Sequence, residues 1–459
     1  MKRRQTLTLI PLVLTSLWER MGEAIASDEK NQSDSWEDNL PLAFQYPKKI
    51  REMLTWVRMH QSENILEASY SIARAVLKGR TCWCHWNMGH RWHSDIFPGR
   101  NGEPEIFIPD YDPKKSKDGD LVLAGFPFTQ EVFDDLKKKD LFIIGTPDST
   151  RPDSINYEDL KNEIQPMRLR PLADIWIETG MDTEGTAIKL PGMPSRMSPI
   201  TGPIYMTLFW MMLADTCRIL ALEGKPMNVK GDEPKLTGAG IDWVNLADPL
   251  MDDFLEEVLT EMELIGSEYG NLKKIAAMVT DTVLNGGSVY WYSRYREAFC
   301  YEAYGRFGGF YFSKPAYDGL IEGTSKDCVV MGIYKPDDEA DLKNLDEFKK
   351  RGMRIASVGP IGRDYSIPKG RTVPKETEAH IGRMCDTYGL YAIPGFEKKV
   401  CPTTGILNCV MLWTISVEIA EQIIERTGGN VPAIGLSGAL KKSVRHTQQM
   451  RLFLQDRGY

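Results

Sequence analysis

Short apolar runs alternate with longer amphipathic runs along most of the chain. The short runs suit strands that are buried on both faces, and they are Thr81–Trp86, Asp120–Ala124, Leu141–Ile144, Leu172–Ile177, Val289–Tyr292, Cys328–Met331, Arg354–Val358 and Gly389–Ile393. The long runs have helical spacing, and they are Tyr46–Leu77, Gln130–Lys139, Ile204–Leu222, Asp252–Leu264, Leu272–Leu284, Arg294–Tyr304, Asp341–Arg351 and Ile406–Arg426. This alternation predicts parallel sheets with right-handed crossovers.

The same order of elements occurs twice. Val76–Gly79 aligns with Val283–Gly286, and the numbers 76 and 283 differ by 207. Near the end of each copy, Ser198–Gly202 aligns with Cys401–Gly405, where the numbers differ by 203. The chain is therefore predicted to be α/β, with two doubly wound parallel-sheet domains that arose by internal duplication.

The pattern divides the chain into six predicted segments. They are an export signal at 1–26, a spacer at 27–44, a first domain at 45–225, a linker at 226–245, a second domain at 246–428 and a basic tail at 429–459. The signal has a basic start at Lys2-Arg3-Arg4, an apolar run at Leu7–Trp18 and small residues at Ala24–Ala26, an order that resembles a twin-arginine export signal. We expect a periplasmic or cell-surface protein. The alternative is a cytoplasmic protein that begins with a surface helix.

Composition argues against a nucleic-acid-binding surface, a membrane span and a disulfide framework. The 459 residues are 42% hydrophobic and carry a net charge of −8, which argues against a broad nucleic-acid surface. The apolar run Ile204–Leu222 contains Asp215 and Arg218, so we expect a buried helix and no stable membrane span in the mature protein. The eight cysteines have no regular spacing and predict no disulfide framework.

Several local strings resemble the SIS (sugar isomerase) phosphosugar-binding family. The first copy has Gly89-His90, and the second has Glu302 and Arg306-Phe307-Gly308-Gly309. The tail Leu440–Val444 is similar to the tail of the tandem isomerase half of glucosamine-6-phosphate synthase. The resemblance covers most of residues 45–459 and implies paired flavodoxin-like or Rossmann-like SIS domains that bind a sugar or sugar phosphate. The enzyme activity that it implies is that of an aldose–ketose isomerase.

The resemblance also implies the site residues. Glu302 and Glu297 are candidate bases, His90 and His380 are candidate ring-opening groups, and Lys442 takes the place of the tail lysine that reaches the sugar. The expected ligand-binding residues lie after strands, at helix starts and in the tail, and they are Gly89, Gly125, Thr129, Thr201, Ser293, Gly332, Thr404 and Ser443. No cofactor is expected.

The phosphate loops depart from the family pattern. The first copy has Gly125-Phe126-Pro127-Phe128-Thr129, with a single hydroxyl, and the second has Asp337 and Asp338 at the predicted helix start. Carboxylates there stabilise the helix themselves and repel a phosphate. The second copy therefore suits a neutral or amino sugar better than a phosphosugar.

Cys82, Cys84, His85, His90 and His93 are the densest group of candidate metal ligands. They lack a standard zinc spacing, and buried cysteines are more often core residues, so no metal is expected. Two functional hypotheses remain open: a divergent sugar-binding protein or isomerase, and a non-catalytic exported subunit. We expect a sugar or sugar phosphate as the ligand, and a homo-oligomer or a larger complex as the assembly.

Overall fold

The structure is a computed structural model that describes residues 41–85, 95, 100–125, 128–146, 163–164, 170–181, 185–191, 196–294, 298–303, 308–310, 312–362, 366–382 and 388–430. The predicted export signal, the spacer up to residue 40 and the tail from residue 431 lie outside these ranges. So do five of the predicted site residues, Gly89, His90, Glu297, Lys442 and Ser443.

The first copy forms a parallel sheet with strand order β2-β1-β3-β5-β7. Its elements are α1 (Leu42–Leu77), β1 (Cys82–His85), β2 (Phe107–Pro109), β3 (Leu121–Ala124), β4 (Phe128–Thr129), α2 (Gln130–Lys138), β5 (Phe142–Gly145), β6 (Glu163–Ile164), β7 (Ile175–Trp176), β8 (Thr186–Ile188), β9 (Met197–Pro199) and α3 (Thr201–Leu222). Two small antiparallel pairs, β4–β6 and β8–β9, lie outside this sheet.

The second copy forms a parallel sheet with strand order β11-β10-β12-β13-β14. Its elements are α4 (Met251–Leu264), α5 (Tyr269–Leu284), β10 (Val289–Tyr292), α6 (Ala298–Ala303), β11 (Ser313–Ala316), β12 (Cys328–Gly332), α7 (Glu339–Lys350), β13 (Arg354–Val358), α8 (Val373–Glu376), β14 (Ala379–Ile381) and α9 (Thr404–Arg426). The two sheets share one strand order, in which the winding direction reverses beside the first strand. The predicted doubly wound fold class and the duplication are confirmed.

Strand alternation explains how each sheet is covered on both faces. Cys82 and Cys84 of β1 face the large core that contains α1 and α3, whereas Trp83 faces a smaller core with Leu136 of α2. Successive side chains of a strand point to opposite faces, so a short run without polar residues is buried from both sides. The large core also contains residues of β10 and α9, and it is therefore shared by the two copies.

The helices α3 and α9 form the centre of the shared core. By length and apolar composition both could cross a membrane, but 94% and 89% of their most apolar segments are buried inside the protein. Asp215 of α3 is also buried, where it accepts hydrogen bonds from Arg218 Nε (2.6 Å), from the Leu250 amide (3.2 Å) and from the Met251 amide (3.0 Å). The Asp215 carboxylate thus accepts amides at the start of α4. Its burial agrees with the prediction that Ile204–Leu222 is a buried helix.

The sequence pattern missed three edge strands and misplaced one. β2 and β11 each contain a proline, which is tolerated at a sheet edge but weakens the strand pattern, and β14 has only three residues. The predicted strand at Gly389–Ile393 is wrong, because Tyr391 and Ala392 form only isolated bridges. Helix α1 begins at Leu42, inside the predicted spacer, because Ala43 is already buried in the core.

The two copies interlock at the starts of α3 and α9. The Ser198 amide donates to Gly308 O of the second copy (3.3 Å), and the Cys401 amide donates to Gly102 O of the first (3.0 Å). Ser198 and Cys401 both have φ near +60°, a conformation that non-glycine residues seldom adopt. Each copy thus uses a glycine loop to hold a strained turn of the other.

We predict that Gly308→Ala destabilises the protein more than Gly319→Ala. Both glycines have φ near +85°, but a Cβ at Gly308 would lie 2.8 Å from Pro199 Cδ, whereas nothing lies within 4 Å of one at Gly319. The control should lose about 1 kcal/mol of unfolding free energy from the left-handed backbone alone, and Gly308→Ala at least about 1 kcal/mol more from overpacking. Urea unfolding measures both. Equal losses would contradict the interlock.

Candidate functional site

Two acidic side chains cross between the copies, and each lies against the start of the other copy's long helix. A Cβ built on Gly202 of α3 would lie 2.8 Å from Glu302 Oε1, and one built on Gly405 of α9 would overlap Asp95 Oδ1. Only glycine leaves room for these carboxyl groups. The numbers 95 and 302 differ by 207, so the two acids are duplicate positions.

The electrostatics of the helix starts favour this arrangement. Neither Ile200 before α3 nor Thr403 before α9 caps its helix with a side chain. The first amides of a helix carry partial positive charge and lack partners within the helix. A carboxyl group brought in by the other copy supplies the negative charge that these starts favour.

Asp95 and Arg100, both of the first copy, form a buried ion pair at the contact with the second copy. Arg100 Nη2 lies 3.0 Å from Asp95 Oδ2 and 3.0 Å from Thr404 Oγ1, and Trp210 Nε1 also donates to Asp95 Oδ2 (3.0 Å). The Arg100 guanidinium lies 4.6 Å from the ring centre of Tyr334, which follows β12. Burial raises the pKa of Asp95, and Arg100 opposes that rise.

Next to this pair, the predicted linker binds both copies. The Gly102 amide donates to Glu233 Oε1 (3.0 Å), and Lys230 Nζ lies 2.7 Å from Glu103 Oε1. From the second copy, Lys335 pairs with Asp232. Burial raises the pKa values of Glu103 and Glu233 to about 7. The linker residues 230–233 therefore belong to the contact between the copies.

The crossing acid of the second copy has different surroundings. Glu302 lies in α6 and is 2% exposed. The equivalent loop glycines Gly102 and Gly308 have numbers that differ by 206, so Arg100 corresponds to Arg306, which lies outside the described residues. Trp413 matches Trp210, but its Nε1 has no hydrogen-bond partner among the described residues. The two crossing sites have thus diverged from each other.

The start of α7, the helix that follows β12, could bind an anion, but the chain's own Asp338 carboxylate occupies it. Asp338 Oδ1 accepts the amides of Ala340 (3.0 Å) and Asp341 (3.2 Å) at the start of α7, and Oδ2 accepts from Arg294 Nη1 (2.9 Å). Tyr292 donates to Asp341 Oδ1 (2.9 Å). These are the groups that would otherwise bind a phosphate, so the predicted mismatch with phosphate has a structural basis in the second copy.

A cavity of ≈ 20 Å³, partly open to solvent, lies at the carboxyl end of the second sheet. Its lining comes from α4, from the residues after β13 and β14, and from the first turns of α9, and consists of Glu261, Ile265, Gly359, Pro360, Gly382, Thr404, Leu407, Asn408 and Met411. Ligands of open α/β sheets bind at this edge.

The structure places Thr201 and Thr404 as the first residues of α3 and α9, both buried. Gly125 follows β3, and its amide donates to His85 O (3.0 Å). Ser293 follows β10, and its buried Oγ has no partner among the described residues. Two further predicted residues lie within strands: Gly332 ends β12, and the backbone of Thr129 lies in β4.

His380 is engaged in local hydrogen bonds. Its Nδ1 lies 2.8 Å from Ser357 Oγ and its Nε2 lies 3.0 Å from Gly359 O. Burial lowers its pKa to about 4. Because both ring nitrogens have partners, His380 positions the strand end that lines the cavity, and its predicted ring-opening role stays a prediction.

The candidate metal ligands that the structure describes do not converge. Within the described ranges no group of three or more His, Cys, Asp or Glu side chains could hold a metal ion. Burial raises the pKa of Cys82 to about 12 and also raises the pKa of Cys84, which favours the thiol over the metal-binding thiolate. The ring of His85 packs against Tyr111, and His90 and His93 lie outside the described residues.

Sequence reasoning missed Asp95, Arg100, Glu261 and Asn408. The offset of 207 that finds Asp95 from Glu302 was available in the sequence. Nothing local marks Glu261 or Asn408, because their role comes from helix packing at the sheet edge.

The chain is similar to several solved structures over most of its length. They include the C-terminal domain of glucosamine-fructose-6-phosphate aminotransferase from Francisella tularensis (11% identity, 87% of this chain and 99% of that chain, TM-score 0.40). A putative phosphosugar isomerase from Silicibacter pomeroyi (8%, 85% and 99%, 0.43) and a putative sugar binding protein from Salmonella typhimurium (8%, 82% and 98%, 0.43) are similar to the same extent. No protein-family model and no curated protein matches the sequence.

These neighbours include the kind of protein that the sequence resembles. At such low identities and TM-scores the likeness establishes neither a family nor a function, and the fold assignment depends on the two sheets themselves.

We predict that Glu233→Gln flattens the pH dependence of stability. Folding raises the pKa of Glu233 from 4.5 to about 7, so the unfolded chain releases a proton that the folded protein keeps, and the unfolding free energy falls as pH rises from about 4.5 to about 7. Glutamine still accepts the Gly102 amide but does not ionise. The decrease in unfolding free energy with rising pH should be smaller in Glu233→Gln than in the wild type, by up to about 1.4 kcal/mol per pH unit.

Urea unfolding at a series of pH values from 5 to 8 measures the change. The matched control is Glu397→Gln, because Lys235 lowers the pKa of that exposed carboxyl instead. Identical slopes for the wild type and Glu233→Gln would show that this carboxyl titrates normally.

Proposed function

We propose that this chain binds a sugar or sugar phosphate where Glu302 meets the start of α3, and that Glu302 moves the proton in an aldose–ketose isomerisation. The observation that carries the proposal is the crossing contact at Gly202, where a Cβ would lie 2.8 Å from Glu302 Oε1. A buried carboxyl group from one copy thereby stands at the helix start of the other. The sequence resemblance to SIS proteins, in which Glu302 matches the family's glutamate, supports the same role.

The geometry suits this reaction. A carboxylate base removes the proton from C2 of an open-chain aldose and returns it to C1, while a proton moves from the hydroxyl oxygen on C2 to the carbonyl oxygen on C1. The intermediate is an enediolate with negative charge on oxygen. The amides at the start of α3, which has no side-chain cap, would stabilise that charge. Thr201, the first residue of this helix, supplies a hydroxyl at the same place.

We predict that Glu302→Gln abolishes isomerisation but keeps ligand binding. The amide fills the same volume but does not take a proton, so turnover should fall at least about hundredfold, with binding changed less than about tenfold. NMR in D₂O follows deuterium entry at C1 and C2 for a panel of aldoses and aldose phosphates. Calorimetry gives the affinities.

Glu322→Gln is the matched control, since this exposed residue lies on the same copy. Equal deuterium exchange in the wild type and Glu302→Gln would exclude Glu302 as the base. Binding without exchange in the wild type would exclude the isomerase role and favour the non-catalytic alternative.

A further inference from the structure

We infer that Cys217 and Cys401 are a disulfide-forming pair, and that their bond cross-links the two copies. Cys217 lies in α3 of the first copy, and Cys401 lies in the strained turn before α9 of the second. The proposal concerns how the copies are held together, so it does not depend on Glu302 or on any ligand. It therefore goes beyond the proposed function.

The two thiols are in contact. Both are free thiols in the structure and are 0% exposed in the shared core, and the side chains of Cys217 and Cys401 are hydrogen-bonded to each other. A disulfide requires two sulfurs that already lie close together, because the S–S bond is only about 2.0 Å long. The fold supplies this proximity although the numbers 217 and 401 differ by 184.

Hydrogen bonds around the pair hold the two segments together. Asp215, two residues before Cys217, accepts the Leu250 amide (3.2 Å), and Tyr391 Oη donates to the carbonyl of the same Leu250 (3.2 Å). The Tyr391 amide donates in turn to the carbonyl of the residue before Cys401 (3.0 Å). Leu250 therefore ties the turn of α3 that carries Cys217 to the segment that carries Cys401.

The duplicate positions show that the fold does not require a cysteine at either place. Ser198 matches Cys401 and Ala420 matches Cys217, since in both cases the numbers differ by 203. Ser198 has φ +62° and Cys401 has φ +63°, and both residues are 0% exposed. A serine thus makes the same buried turn in the first copy, and an alanine is equally buried in α9. Packing of the turn does not by itself account for the two cysteines.

Bond formation needs a two-electron oxidant, and a small-molecule disulfide such as oxidised glutathione supplies one by thiol–disulfide exchange. One cysteine loses its proton, and its sulfur attacks the oxidant, releases one thiol and forms a mixed disulfide. The second cysteine loses its proton, and its sulfur attacks the protein sulfur of the mixed disulfide and releases the second thiol. Each protein sulfur loses one electron, the oxidant gains two, and the two protons end on the released thiols.

Burial controls when the pair reacts. It raises the pKa of Cys401, as does the hydrogen bond to Cys217, and the protonated thiol is not a nucleophile. The bond therefore forms when the contact between the copies opens, or before that contact has closed. Once formed, it closes a long loop of the chain, and such a cross-link restricts the unfolded state strongly.

Peptide mapping tests the bond. The reduced full-length chain is kept with oxidised glutathione at urea concentrations up to the onset of unfolding, the remaining thiols are alkylated, and tryptic peptides are analysed without reduction by mass spectrometry. We expect the peptide that ends at Arg218 to be linked to the one that ends at Arg426, with fragment spectra that place the link at Cys401 and not at Cys409. Peptides in which Cys217 and Cys401 are alkylated or bound to glutathione, without the link, would overturn the proposal.

Thermal unfolding tests whether the bond stabilises the contact between the copies. The Tm of the oxidised wild type should lie at least about 2 °C above that of the reduced protein. Cys217→Ala and Cys401→Ser, which install the residues of the duplicate positions, should show no such difference. The matched control is Cys328→Ser, which removes a different buried cysteine and should keep the full difference.

If one of the two pair variants does not fold, the other decides the question. A link that forms without raising the Tm of the wild type would contradict the cross-link between the copies. A rise of the same size in a folded Cys217→Ala or Cys401→Ser would assign the stabilisation to other cysteines.

Discussion

The crossing of Asp95 and Glu302 is the constraint on which the rest of the structure depends. Each carboxyl group belongs to one copy and lies against a glycine in the first turn of the other copy's long helix. A helix that starts without a side-chain cap and deep in a protein needs an external partner for its amides. Each copy supplies the carboxyl group at the start of the other copy's long helix. Neither helix start therefore has its partner without the other copy.

This reciprocity brings the carboxyl edges of the two sheets together. Arg100 of the first copy stacks on Tyr334, which follows a strand of the second, and also binds Thr404 at the start of α9. Because these edges are where doubly wound sheets bind ligands, the contact between the copies is also the place for chemistry. The two crossings differ in one described contact: Trp210 Nε1 donates to Asp95, whereas Nε1 of the matching Trp413 has no partner among the described residues.

The sequence predicted the architecture well because burial on both faces leaves a direct signal. The apolar run Val289–Tyr292 coincides with a strand of the structure, and the duplication located the long helices α3 and α9. The edge strands with Pro109 and Pro315 were missed, since proline weakens the pattern that defines a strand. Glu302 was predicted from resemblance, but its neighbour Gly202 was not, because that contact depends on how the copies pack.

Hydrogen exchange of the amides in α3 and α9, measured by mass spectrometry on the wild type and Trp210→Phe, tests the interlock most directly. Phenylalanine removes the 3.0 Å hydrogen bond from Trp210 Nε1 to Asp95, and Asp95 lies at the start of α9. The account predicts that both helices open with the same free energy, and that the substitution lowers protection equally in both. A loss confined to α3, with α9 protected as before, would contradict it and show that the two copies open independently.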